Sequence, residues 1–174
     1  MMKRRILAML LAVALACTLL PTAALAANPS VTEKEINGVH YSFDAAKNAW
    51  TVASYDNTGS KTINIPDKIE SFPVVAIQAE AFMGKDVSSI VIPGTVTQIG
   101  KNAFANCKSL TSVFTLEGST PVKIEENAFE SCILLKSFYG KNVGELGAKA
   151  FSGCRALESA IIEKGPTKLN SEIF

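Results

Sequence analysis

A chain of 174 residues has room for one domain, and its 17 Lys and Arg against 16 Asp and Glu leave a formal net charge of +1. Three of the cations, Lys3, Arg4 and Arg5, sit at the extreme N-terminus. Beyond that leader 14 basic residues face 16 acidic ones, a net of −2, so no basic stripe is left to favour nucleic acid or an anionic membrane surface.

Residues 6–20 continue the leader as an apolar run, Pro21 breaks it, and Ala24-Leu25-Ala26 follows as a small-residue cleavage site. This is the pattern of a secretory signal peptide over residues 1–26, with cleavage expected near Ala26. The run falls short of the ~18 apolar residues of a membrane span, so no span is expected after cleavage. Cys17 raises a rival, a lipidated leader. Against it, Ala14 rather than Leu stands three residues before Cys17, and the apolar run continues through Leu19 and Leu20.

Downstream, His40-Tyr41-Ser42-Phe43 and Asn48-Ala49-Trp50-Thr51-Val52 read as two strands around the polar turn from Asp44 to Lys47. Residues 27–60 are therefore expected to form an N-terminal β-rich cap.

From residue 61 onwards one motif returns. Ala81-Phe82, Ala103-Phe104, Ala128-Phe129, Ala150-Phe151 and Ile173-Phe174 lie 22, 25, 22 and 23 residues apart. Cys107, Cys132 and Cys154 each follow a Phe by three residues. Self-similarity at this period marks a solenoid whose stacked repeats bury a continuous core that no single repeat can bury alone. In the clearest copy Ile90 and Ile92 alternate with Ser89 and Val91, as in a half-buried strand closed by Pro93. Gly100 is expected to make a tight turn with positive φ before Ala103-Phe104. The predicted fold is a β-rich leucine-rich-repeat solenoid over residues 61–174, one short strand per coil. Its first copy is degenerate, with Lys85 at the Cys position and an insertion around Ser71-Phe72-Pro73. Its last copy is cut short at Phe174.

The run from Ile90 to Leu110, I-x-I-P-x-x-V-x-x-I-G-x-x-A-F-x-x-C-x-x-L, resembles the BspA-like (Treponema pallidum type) leucine-rich-repeat family of bacterial surface proteins. Asn37-Gly38-Val39-His40-Tyr41 is similar to that family's N-terminal segment. The resemblance implies a secreted or surface-attached module that binds protein or glycan, with no catalytic residues and no cofactor to carry over.

Residues that look chemical have structural readings. The three downstream cysteines are 25 and 22 residues apart, unlike the close pairs of a compact zinc site. Rungs ~4.8 Å apart leave one adjacent disulfide open beside the expected ladder of small buried side chains. His40, the only histidine, has no neighbouring Cys in sequence and no G-x-S-x-G elbow to serve. Glu125, Glu126, Glu130 and Asp86 fall at variable polar positions, where a solvated coil surface is expected rather than an acid–base pair.

The strand register points instead to a surface. Val91, Phe114, Tyr139 and Ile161 should face outward in one column, and Ser89, Ser112, Ser137 and Ser159 in another. Aromatic anchors flanked by small hydroxylated residues suit a protein or glycan ligand. Strand propensity alone also places such residues there. The expected function is a non-catalytic binding or adhesion module, secreted or at the cell surface. The alternatives are a repeat spacer of a longer exported enzyme and a purely structural surface element. Ile162, Leu169 and Phe174 on an uncapped C-terminal face make end-to-end self-association a further expectation.

Overall fold

The computed structural model describes residues 32–166, 168–169 and 172–174. The leader with Cys17 and Ala26, residues 27–31 and the side chain of Leu169 lie outside the described residues.

Fourteen short strands and no helix make up the described chain. Three of them, β1 (Glu33–Ile36), β2 (Val39–Asp44) and β3 (Ala49–Tyr55), form an antiparallel meander. The β2 and β3 strands are those that alternation predicts, with the turn over residues 45–48 rather than from Asp44 to Lys47. The charged β1, Glu-Lys-Glu-Ile, carries too little alternation to be read in advance. β4 (Thr62–Asn64) opens the first coil, and β5 (Lys68–Ile69) and β6 (Phe72–Ile77) form a hairpin. The insertion at Ser71-Phe72-Pro73 is thus the turn and start of that hairpin, with Glu70 at φ 57°.

From there each coil repeats a pair of strands: β7 (Ser89–Ile92) with β8 (Gln98–Ile99), and β9 (Ser112–Thr115) with β10 (Val122–Ile124). Then come β11 (Ser137–Gly140) with β12 (Val143–Leu146), and β13 (Ser159–Ile162) with β14 (Lys168–Leu169). The expectation of one strand per coil is corrected: each coil has two. The first strands stack in parallel as a five-stranded sheet, β13-β11-β9-β7-β4. The second strands join a nine-stranded sheet that runs β1-β2-β3-β6-β8-β10-β12-β14, with β5 attached to β6. The meander therefore prolongs the larger sheet, through Trp50 against Val74 and Val52 against Ile77.

Between the sheets one hydrophobic core runs from Val39 to Phe151. Its spine is a column of rings. Phe82, Phe104, Phe129 and Phe151 stack at centroid spacings of 4.9, 5.1 and 5.3 Å, within 9° of parallel. Tyr55 of the meander continues the column 5.6 Å from Phe82, and Phe174 ends it 6.1 Å from Phe151. Phe43 and Trp50 pack edge-on at 5.2 Å.

The Phe turns also bond coil to coil. Phe82, Phe104, Phe129 and Phe151 each donate their backbone N–H, at 2.8 Å, to residue 103, 128, 150 or 173 of the next coil. Left-handed residues bracket each Phe: Glu80, Asn102, Asn127, Lys149 and Glu172 precede it by two, and Gly84, Asn106, Ser131 and Gly153 follow by two. Gly100 is not among them, which corrects the expected turn. A Cβ on Gly100 would lie 2.5 Å from the backbone nitrogen of Ala79, so close packing of neighbouring coils demands the glycine. Asn102 supplies the positive φ instead, at 55°.

Candidate functional site

Alternation along the five-stranded sheet turns one residue in two away from the core. β7, β9 and β11 keep Ile90 with Ile92, Val113 with Thr115, and Phe138 with Gly140 buried. The intervening positions stand in register across coils. Val91, Phe114, Tyr139 and Ile161 pair in one row, and Ser89, Ser112, Ser137 and Ser159 in another. Thr62 and Asn64 of β4 extend the two rows by one strand. The serine row is linked internally, with Ser112 Oγ donating to Ser89 Oγ at 2.9 Å.

Within the outward row Phe114 is 38% exposed and Ile161 51%, while Val91 and Tyr139 are half-buried. A third row, unseen in the repeat alignment, follows at the strand ends. Leu116, 48% exposed, accepts no place in the core. Lys141 and Glu163 occupy the equivalent places in the next coils, each backbone N–H donating to the strand before it. The Tyr139 hydroxyl donates to the Glu163 carboxylate, Lys141 Nζ lies 3.1 Å from the same carboxylate, and that ammonium sits 5.4 Å from the Tyr139 ring centroid. The Tyr139 hydrogen bond and then Lys141 hold the Glu163 carboxyl below its ordinary range. Lys164 and Glu117 form a further pair at 2.7 Å. The face thus combines exposed apolar side chains, a hydroxyl row and a rim of compensated charges.

The cysteines stand in the Phe turns, each three residues after its Phe. Cys107, Cys132 and Cys154 are free thiols, the first two fully buried and Cys154 partly so. Each Sγ is 3.0–3.1 Å from the carbonyl oxygen of a Phe one coil back: Phe82, Phe104 and Phe129 respectively. Each of these carbonyls also accepts the backbone N–H three residues on, from Lys85, Cys107 or Cys132, so the thiol takes its second lone pair. The neighbouring thiols of Cys107 and Cys154, together with burial, push the Cys132 thiol well above its usual range. That is the opposite of what an activated nucleophile or metal ligand needs.

His40 lies 3.5 Å from the Asp56 carboxylate, whose acidity is set first by Thr58 and then by His40. Asp86 pairs with Lys61 at 2.6 Å and Glu126 with Lys101 at 2.8 Å, each lysine lowering the carboxyl's pKa. Glu125 accepts the Gln98 amide and the Lys101 backbone N–H. These carboxylates each meet a lysine, a histidine or an amide rather than one another, so they form no acid–base pair.

Two parallel ladders closing a core on periodic Phe and Cys define a β-rich leucine-rich-repeat solenoid. Residues 75–174 match the BspA type leucine rich repeat region in six copies, and the chain belongs to that family. No curated protein matches the chain. Among solved structures it is similar to a leucine-rich repeat protein from Bacteroides capillosus, at 24% identity and TM-score 0.64, over 76% of this chain and 99% of that one. It is also similar to the Treponema pallidum leucine-rich repeat protein, at 23% identity and TM-score 0.62, over 75% of this chain and 64% of that one. A third is a leucine rich cell surface protein from Faecalibacterium prausnitzii, at 24% identity and TM-score 0.56, over 80% of this chain and 45% of that one. The chain therefore spans under two thirds of the length of the second and third of these proteins. At these identities the likeness concerns the fold.

Proposed function

We propose that this chain is a non-catalytic binding or adhesion module, secreted or displayed at a bacterial cell surface. Its contact face is the outer side of the five-stranded sheet, and its ligand a protein or a glycan. The observation that carries this reading is the exposure of Phe114, Leu116 and Ile161 on one sheet face of a chain whose other aromatic rings are largely sealed in the core. Burying such side chains against a partner returns about 25 cal/mol per Å² of apolar area, and aromatic anchors with a polar rim are the usual source of interface energy. The family membership and the cell-surface description of the F. prausnitzii protein support the location. Among the described residues no helix is long and apolar enough to cross a membrane, and the proposed route outwards is the leader.

The test is an array of extracellular matrix proteins and glycans probed with the chain and with a Phe114→Ala/Tyr139→Ala double variant. Binding by the chain that falls at least tenfold in the double variant, at unchanged melting temperature, is the expected result. Equal binding by both refutes this face.

A further inference from the structure

The outer face of the nine-stranded sheet has a different chemistry. Gln78, Gly100, Glu125 and Gly147 occupy one repeat position, four residues before each Phe. A Cβ at Gly100 or Gly147 would come within 2.5 Å of the preceding coil's backbone, so side chain and no side chain alternate along the column. Two depressions, of about 650 Å³ beside Gly100 and about 390 Å³ beside Gly147, open on this face, and Glu125 lines both. Two coils separate the glycines, a distance of ~10 Å.

We infer that this double depression is a binding groove for a neutral, linear oligosaccharide. Sugars present closely spaced hydroxyls that donate and accept together, over a ring face of C–H groups. Fixed planar amides and carboxylates match the hydroxyls, and an apolar ring matches the C–H face. The groove has these parts already oriented. The Gln78 amide donates to Thr51 Oγ1 at 2.8 Å and Ser42 Oγ at 3.1 Å, and those hydroxyls are 3.0 Å apart. The Gln98 amide donates to Glu125 Oε1 at 2.9 Å, while Glu125 Oε2 takes the Lys101 N–H at 3.1 Å. Both glutamines are exposed at the groove. The half-buried Phe43 ring lines one end, braced edge-on by Phe72 at 4.9 Å. Side chains held in place before binding lose little freedom when a ligand arrives.

Charge selects the ligand class. Lys47 pairs with Asp44 at 3.0 Å, and Lys101 with Glu126 at 2.8 Å. Lys123 stands between Glu125 and Glu145 at 3.9 and 3.7 Å. Three lysines and four carboxylates line the groove, a formal net of −1, so a polyanionic glycan gains no attraction there. An apolar protein surface would leave the amides and hydroxyls unmatched.

The test is an NMR titration of the full chain, reading the side-chain amide signals of Gln78 and Gln98. The probes are cellotetraose, chitotetraose and maltotetraose, with a heparin tetrasaccharide and a neutral Ser/Thr hexapeptide as contrasts. At least one neutral tetrasaccharide should shift both signals saturably. Its affinity should fall tenfold or more in Gln78→Ala/Gln98→Ala with the backbone spectrum preserved, and stay unchanged in Phe114→Ala/Tyr139→Ala. The last arm separates this groove from the face of the five-stranded sheet, so either site can fail alone. No shift with any neutral tetrasaccharide, a preference for heparin, or shifts from the peptide only would overturn the inference.

Discussion

Phe104 is the position where the packing account is most exposed to test. Its ring is fully buried and stacked on both sides, at 4.9 Å on Phe82 and 5.1 Å on Phe129. Truncating a buried Phe to Ala costs about 3–5 kcal/mol, and two ring contacts at about 0.5–1.5 kcal/mol each place Phe104→Ala in the upper part of that range. Phe104→Leu keeps most of the apolar volume and isolates the stacking, about 1–3 kcal/mol for the two contacts together. Phe174 has one ring neighbour, at 6.1 Å, and is 75% exposed, so Phe174→Ala should cost less than about 1 kcal/mol by the smaller area it buries. Urea unfolding at constant m-value reads all three as shifts in midpoint. The order expected is Phe104→Ala, then Phe104→Leu, then Phe174→Ala. Equal losses for Phe104→Ala and Phe174→Ala would refute the ring column as the spine of the core.

The thiol ladder predicts that iodoacetamide modifies native Cys107 and Cys132 at less than a tenth of the rate of Cys154, with all three reacting in denaturant; peptide mass mapping after timed quenching checks this, and rapid native labelling of all three contradicts it. The left-handed positions two residues after each Phe predict opposite signs for opposite swaps. Ser131, at φ 57°, carries a conformational cost of about 1–2 kcal/mol that glycine avoids, offset by about 0.5–1 kcal/mol of glycine entropy. Ser131→Gly should therefore stabilise by about 0.5–1 kcal/mol in thermal melts. Gly84, at φ 69° with nothing near its Cβ position, isolates the φ cost, and Gly84→Ala should destabilise by a similar amount.

Much of this architecture was legible because the repeat aligns it. The Ser/Ile alternation of Ser89–Ile92 gave strand, inward face and register together, and the outward rows stand where that register places them. The second strand of each coil was not legible, since Gln98–Ile99 is too short to show a period of two. Gly100 was read for its freedom in φ, whereas the close approach of the coil before it requires the glycine. The left-handed turns escaped notice because Glu80 and Lys149 hold sites where glycine would have announced them. Leu116, Lys141 and Glu163 fall just past the strand ends, where the three extra residues between Phe104 and Phe129 blur the alignment of coils. The polar groove needed neighbouring coils in contact before Gln78, Gln98 and Glu125 could be seen to line one depression.

We propose that ligand binding resides on the outer face of the five-stranded sheet. Its most direct test is the dissociation constant of the tightest array ligand for the chain, for Phe114→Ala/Tyr139→Ala and for Lys108→Ala, whose side chain is exposed outside that sheet. A rise of tenfold or more, at least about 1.4 kcal/mol, is expected for the double variant alone, with all three chains melting together. A constant unchanged in the double variant would contradict it.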